Sequence, residues 1–285
     1  MDWVKQLNAA LEYIEANLTG NIDYSAAAQI ACCSPYHFQR MFSYIAGIPL
    51  GEYIRRRRMT QAAADLRRQS GAKIIDIALK YGYDSPTAFN RAFQSIHGVA
   101  PSKARSEKVT LKAYPPISFK ITITGDVEMD YRIEQKDAFQ IVGIASPLAS
   151  NIEENFAAVP QMWQKAATEN IIPQLTALMG DEPQGVLGVS CCNDAEEWQY
   201  FIAVAGENTP DTDFATYQVP AATWAIFPGS GSMPHSIQEL EKRIITEWLP
   251  NSGYEYANAP DIEVYLSPDP AKAVFEVWVP VKAKS

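Results

Sequence analysis

Two groups of side chains in this sequence have the types and spacing to do chemistry. The first is Gln39 beside Arg40 and, 51 positions later, Asn90 beside Arg91. An amide next to a guanidinium on one helix face supplies the groups that bond adenine and guanine edges bidentately in a major groove. The second is a pair of carboxylates inside apolar runs, Glu263 in Ile262-Glu263-Val264-Tyr265-Leu266 and Glu276 in Val274-Phe275-Glu276-Val277-Trp278-Val279. A carboxylate with such neighbours lies at an edge, pairs with a cation of the protein, or faces a pocket that takes a cation. A slip of one residue in strand register turns a side chain to the other face, so the sequence leaves open whether the two acids share one.

The elements that position the first group repeat. Ser34-Pro35 matches Ser85-Pro86, Phe38 matches Phe89, Phe42 matches Phe93, and Gly47 matches Gly98. Serine can cap a helix, proline fits its first turn, and glycine ends it. Each copy is preceded by a short apolar helix, and Pro49 to Arg68 predicts a long connecting helix. At 100° per residue, with Phe38 inward, Tyr36, Gln39, Arg40 and Ser43 point outward. In the second copy the outward set is Thr87, Asn90, Arg91 and Gln94. The run Arg55 to Arg58 spreads around its helix, and is expected to divide between packing stems, ion pairs and phosphate contact. His37 and His97 are expected as polar surface or phosphate contacts, not as metal ligands.

Charge divides the chain as the motifs do. Residues 1–108 hold 14 basic and 9 acidic side chains, a net of +5, and the remainder carries −14 of the total −9. The basic part suits nucleic acid and the acidic part repels it. An apolar fraction of 47% supports packed cores and excludes disorder. No apolar run reaches the roughly 18 residues that span a bilayer, and no leader pattern opens the chain, so a soluble cytoplasmic protein without membrane association is expected. Cys32–Cys33 and Cys191–Cys192 lack ligand spacing and are expected to be structural thiols, with no metal and no cofactor.

Beyond residue 128 the pattern is regular. Strands near 131–134 and 139–145, a helix near 152–169 and strands near 184–192 and 198–205 are followed by a second set: strands near 214–219 and 222–227, a helix near 235–248 and strands near 262–266 and 273–281. Two strand-strand-helix-strand-strand halves would pack about a pseudo-two-fold and leave a groove at their junction.

Cys33-Ser34-Pro35-Tyr36-His37-Phe38-Gln39-Arg40-Met41-Phe42, Gly51-Glu52-Tyr53-Ile54-Arg55-Arg56-Arg57-Arg58-Met59, Ile75-Asp76-Ile77-Ala78 and Phe89-Asn90-Arg91-Ala92-Phe93 resemble the DNA-binding domain of the AraC/XylS family, in its Rob-like arrangement with that domain first. The resemblance implies two helix-turn-helix units reading successive major grooves, through Tyr36, Gln39 and Arg40 and through Thr87, Asn90 and Arg91. Phe139 to Ile144, Trp248 to Glu255, Pro260 to Tyr265 and Glu276 to Val281 resemble the GyrI-like effector-binding domain. There the resemblance implies an aromatic cleft for lipophilic cations with Glu263 as countercharge and Glu276 as a second acid. Tyr200, Trp224, Phe227, Tyr265 and Trp278 are the candidate walls, of which Trp224, Tyr265 and Trp278 are taken as effector-binding.

The expected fold is therefore two domains, an all-α double helix-turn-helix over 1–108 and an α+β domain of duplicated units over 129–285, joined by connecting strands or a linker over 109–128. The expected function is a DNA-binding transcription regulator, not an enzyme, whose partners are promoter DNA, a small-molecule effector and RNA polymerase. Two alternatives remain open: small-molecule hydrolysis by Glu263 and Tyr265, as in some GyrI-like domains, and a C-terminal domain that binds a protein partner.

Overall fold

A computed structural model describes residues 3–69, 71–106, 108–120, 128–149, 152–180, 182–192, 197–207, 213–267 and 269–284. The chain divides into two units, 2–120 and 121–285.

In the first unit α1 (Trp3–Ala16), α2 (Tyr24–Ile30) and α3 (Pro35–Ala46) form one helical cluster, and α5 (Ile74–Lys80) and α6 (Pro86–His97) form another, joined by α4 (Leu50–Arg68). The predicted punctuation is present. Ser34 Oγ accepts from His37 N at 3.2 Å and Ser85 Oγ from Ala88 N at 3.4 Å. Gly47 and Gly98 end the two helices at φ 68° and 74°, a conformation in which a Cβ is strained. Phe38, Phe42, Phe89 and Phe93 are fully buried, each contributing about 1.5–3 kcal/mol of transfer free energy. Residues 109–120, the first part of the connecting strands or linker expected over 109–128, form no strand. They run along the helices instead: Tyr114 N donates to Thr60 Oγ1 (3.1 Å), Ile117 N to Tyr53 Oη (3.2 Å), and Phe119 N to Asn8 Oδ1 (2.8 Å). The rest of that connection, 121–127, lies outside the described residues.

The second unit is a curled antiparallel sheet with helices on one face. Its strands are β1 (Arg132–Lys136), β2 (Phe139–Pro147), β3 (Val186–Cys192), β4 (Trp198–Ala205), β5 (Ala215–Val219), β6 (Ala222–Gly231), β7 (Tyr254–Tyr256), β8 (Asp261–Tyr265) and β9 (Ala273–Ala283). They follow the order β1-β6-β9-β8-β3-β4-β2-β5, with β7 on β9. An offset of 83 residues carries β1 onto β5 (132 to 215) and β2 onto β6 (139 to 222). An offset of 75 carries β3 onto β8 (186 to 261) and β4 onto β9 (198 to 273). The duplication is thus real, and the pseudo-axis runs between β3 and β8. The first strand of each half is exchanged: β1 pairs with β6 and β5 with β2, so each half closes the other's sheet edge. β5 and β6 are joined through residues 220 and 221 yet stand near opposite ends of the path, so the sheet must curl. Val219 and Trp224 accordingly meet in one core on the face away from the helices. Helices α7 (Ile152–Thr168), α8 (Ile171–Thr176) and α9 (His235–Arg243) cover the other face, through Ala166, Leu175 and Ile237.

Candidate nucleic-acid and effector sites

α6 presents its outward set as the phase argument requires, with Thr87, Asn90, Arg91 and Gln94 all exposed. α3 differs. Tyr36 is half-buried, while Gln39 and Arg40, expected in solvent, are only 6% and 9% exposed. Arg40 lies back along its helix, with its guanidinium 5.6 Å from the Tyr44 ring centroid and Nε 3.4 Å from that hydroxyl. One turn of helix separates residues 40 and 44, so a long side chain reaches an aromatic there by folding down the helix. Tyr44 has no aromatic counterpart in α6, where position 95 is Ser.

The four consecutive arginines of α4 all hold intramolecular partners. Arg55 and Arg56 pair with Glu52, Arg56 also lies over the Tyr114 ring at 5.1 Å, and Arg58 donates to the carbonyls of Leu18 and Gly20. Arg57 grips Glu15 with two bonds (2.8 and 2.7 Å) and donates to the Tyr114 carbonyl. These contacts tie α1, α4 and the 108–120 segment together. The histidines expected at the surface are buried. His37 Nδ1 lies 2.7 Å from the Ser34 capping hydroxyl, and His97 Nε2 lies 3.1 Å from the Met59 carbonyl. Burial holds His97 below the usual imidazole range.

In the second unit the registers decide what the sequence could not. Glu263 is paired with Val277, and Glu276 with Val264, so the two carboxylates occupy opposite faces. Glu276 shares its face with Trp278 and Trp224, whose rings are 6.1 Å apart and almost wholly buried. It receives two bonds from Arg132 (2.8 and 3.1 Å) and one from Trp278 Nε1 (2.8 Å). Hydrogen bonding to Glu276 is the foremost reason the Arg132 guanidinium is held more firmly protonated than usual. Glu276 is thus the carboxylate paired with a cation of the protein. Trp224 and Trp278, expected beside Glu263, are interior packing of the curled sheet.

Glu263 lies on the helix-covered face, in the row Ile144, Ile202, Gly188, Glu263, Val277, Phe227 that crosses six strands. Its Oε2 accepts from Tyr265 Oη at 2.8 Å and from Tyr200 Oη at 3.1 Å. Trp163 of α7 donates Nε1 to Tyr200 Oη at 2.9 Å and sets its ring edge-on to Tyr265, 4.8 Å between centroids. The structure therefore brings Glu263, Tyr265 and Tyr200 together and adds Trp163, which the sequence reading missed. Its signal was the spacing Val159, Met162, Trp163, Ala166, the inward stripe of α7. Such an arrangement offers one negative charge, oriented by two phenols and walled by rings, which suits a cation with an apolar body.

Of the four cysteines expected to be structural thiols, Cys191 is buried, Cys33 and Cys192 are half-buried, and Cys32 is exposed. Burial pushes Cys33 and Cys191 up to about 12. Among the described residues no His/Cys/Asp/Glu group could hold a metal, and no helix is long and apolar enough to cross a membrane.

A family described as the GyrI-like small molecule binding domain matches residues 129–282, and a helix-turn-helix family matches residues 27–107. The HTH-type transcriptional activator AarP of Providencia stuartii is 42% identical over 99 residues, 35% of this chain and 73% of that protein. The multiple antibiotic resistance protein MarA of Escherichia coli K12 is 34% identical over 99 residues, 35% of this chain and 77% of that protein. Among solved structures, a candidate bacterial transcription regulation protein of Staphylococcus aureus MU50 is 23% identical, covering 55% of this chain and all of that one at a TM-score of 0.48.

Proposed function

We propose that this chain, which belongs to the AraC/XylS family of DNA-binding transcription regulators and carries a GyrI-like small-molecule-binding domain, is a one-component regulator that senses a lipophilic cation in residues 129–285 and reads promoter DNA with residues 1–108. The observation that carries the sensing half is Glu263, half-buried, oriented through Oε2 by Tyr200 and Tyr265, with Trp163 against Tyr265. A half-buried carboxylate with aromatic side chains beside it attracts a cation whose charge is spread under apolar groups. The DNA half rests on two capped helices that carry Tyr36, Gln39 and Arg40, and Thr87, Asn90 and Arg91. Transcription is then regulated through contact with RNA polymerase. AarP is named a transcriptional activator and MarA a multiple antibiotic resistance protein, which supports the regulator reading.

Calorimetry of the full chain with tetraphenylphosphonium, a monocation behind four aromatic rings, tests the sensing half. Micromolar binding that Glu263→Gln abolishes is the expected result, since removing the countercharge of a buried pair costs about 2–5 kcal/mol. Undiminished binding in Glu263→Gln would refute it. The DNA half is tested by salt titration on a duplex selected from a random pool, where affinity should fall steeply as counterions compete with Lys and Arg.

A further inference from the structure

Gly188 is the residue that faces Glu263 across the pseudo-axis between β3 and β8. A Cβ built on it would lie 2.3 Å from Tyr200 Oη and 2.7 Å from Glu263 Oε2, the two atoms that form the hydrogen bond at the centre of the site. The carboxylate is the far end of a flexible side chain, while the phenol is the tip of a ring only 3% exposed, whose Cζ would lie at 3.2 Å. Two other glycines of the same unit differ in kind: a Cβ at Gly143 would meet the Ile202 carbonyl at 2.1 Å, and one at Gly206 the Leu178 carbonyl at 2.2 Å. Backbone cannot yield without opening the sheet, whereas the carboxylate can swing aside and the Tyr200 ring can tilt off its two partners. A methyl at 188 therefore displaces the site and spares the fold.

We propose, resting on the effector reading above, that Gly188 is the positioning residue of the sensing site, its missing side chain being the space in which Tyr200 and Glu263 bond. The backbone of β3 forms the floor over which the Trp163 to Tyr200 to Glu263 relay is laid. Any side chain at 188 pushes the Tyr200 hydroxyl off the carboxylate and withdraws it from the Trp163 indole. Position 188 thereby sets the depth of the site and which cations enter it. The residue related to Glu263 by the 75-residue offset is also Gly188, so a second copy of the acid would stand in the space the first needs, and the duplicated sheet holds one such site.

The test uses the full chain with Gly188→Ala, and Val189→Ala as a control, because Val189 is the neighbouring residue of β3, buried on the opposite face. Gly188→Ala should keep a cooperative melt within about 4 °C of the parent. It should lose tetraphenylphosphonium affinity by about tenfold to a hundredfold, and shift the indole N–H resonance of Trp163, identified by its disappearance in Trp163→Phe. Val189→Ala should melt lower yet bind within about twofold of the parent, with that resonance unmoved. Affinity within twofold in Gly188→Ala would overturn the proposal. Should the parent itself fail to bind tetraphenylphosphonium, the effector reading falls, and the Trp163 resonance alone then decides Gly188: unmoved, it overturns the positioning role too. If Gly188→Ala does not fold, Gly188→Ala with Tyr200→Phe removes the nearer colliding atom; a double variant that also fails to fold makes Gly188 a structural glycine and ends the proposal.

Discussion

The helical unit and the sheet unit were each built by duplication, but they repeat different things. In the first, an offset of 51 residues carries the cap, the buried Phe pair, the amide beside the guanidinium and the terminal glycine from α3 onto α6. In the second, the offsets of 83 and 75 carry strands onto strands while the site residues change at every position. Glu263 corresponds to Gly188, Tyr265 to Ser190, Tyr200 to Phe275 and Trp163 to Thr246. The physics of the two proposed ligands would account for the contrast. A duplex offers the same kind of groove twice, so two copies of one reading tool are useful. A pocket at a pseudo-two-fold axis would bring two copies of a carboxylate together, and like charges at contact distance oppose each other's ionisation. One copy must then be lost.

The largest effect that can break this contrast concerns the two acids of the sheet. Against tetraphenylphosphonium, Glu263→Gln should cost about 2–5 kcal/mol, while Glu276→Gln should leave affinity within about twofold, since its carboxylate is on the other face and held by Arg132. Its cost belongs to stability and should stay near 1 kcal/mol, because the Arg132 side chain is 43% exposed and water can replace the lost partner. Equal losses of affinity in parallel titrations would mean the two acids act as one site and the sheet is not asymmetric after all.

Next in size are the paired arginines. On the proposed base-reading role, which requires the Arg40 guanidinium to leave Tyr44 when DNA binds, Arg40→Ala and Arg91→Ala should each cost about 1–3 kcal/mol on a selected duplex and far less on random DNA. Thermal melts separate the copies. Arg91 is exposed and its loss should leave the melting temperature unchanged, whereas Arg40 lies against Tyr44 and its loss should lower it. A parent-like melt for Arg40→Ala would show that its packing is energetically empty.

The two helical copies are also tied to α4 by different means, Glu15 with Arg57 and Tyr53 for the first and Asp65 with Lys80 and Tyr81 for the second. Burial alone would raise the Asp65 carboxyl, but bonds from Lys80 (2.7 Å), Tyr81 (2.8 Å) and Arg68 (2.7 Å) outweigh it and hold Asp65 below the usual carboxylate range. A carboxyl depressed in the folded state binds protons more readily when unfolded, so its stabilisation is present above about pH 4 and lost as pH falls through the folded value. Asp65→Asn should cost about 1–2 kcal/mol at pH 7 and less at pH 2. Urea melts at both pH values check it, and a cost independent of pH would remove the charge from the explanation.

How much of this was legible in the sequence follows from how local each determinant is. Ser34, Pro35 and Gly47 act within one turn, so the helices, their duplication and the inward Phe residues could be read directly. Most strands and helices of the second unit were legible for the same reason, but the short β7 (Tyr254–Tyr256) and α8 (Ile171–Thr176) were not. What the sequence withheld was pairing. The register that sends Glu276 to one face and Glu263 to the other depends on a hairpin that a single-residue slip would invert. The exchange of β1 and β5 between halves is a long-range choice with no local sign. Trp163 escaped because it reaches Tyr200 from a helix 37 residues away, and Gly188 because its contribution is the absence of a side chain. The burial of Gln39 and Arg40 escaped because helical phase predicts the direction of a side chain and not its exposure in the folded chain.

The smallest expected effect tests the one basic cluster that the duplication does not repeat. Arg55 of α4 has no partner copy, its side chain is 47% exposed, and it shares Glu52 with Arg56. An exposed ion pair of this kind is worth little, because water screens it and two long side chains must be ordered to make it. Arg55→Ala should therefore change stability by less than about 0.5 kcal/mol. If the run Arg55 to Arg58 serves as stems and intramolecular ties, affinity for selected and random duplexes should fall together by no more than that amount. The dependence of the logarithm of affinity on the logarithm of salt should keep its slope, because no phosphate contact is lost. A slope shallower by about one unit, equal on both duplexes, would instead mean that Arg55 leaves Glu52 for a phosphate when DNA arrives. In that outcome α4 would be a third contact element laid between the two repeated ones, and the helical unit would no longer read DNA by its duplicated parts alone.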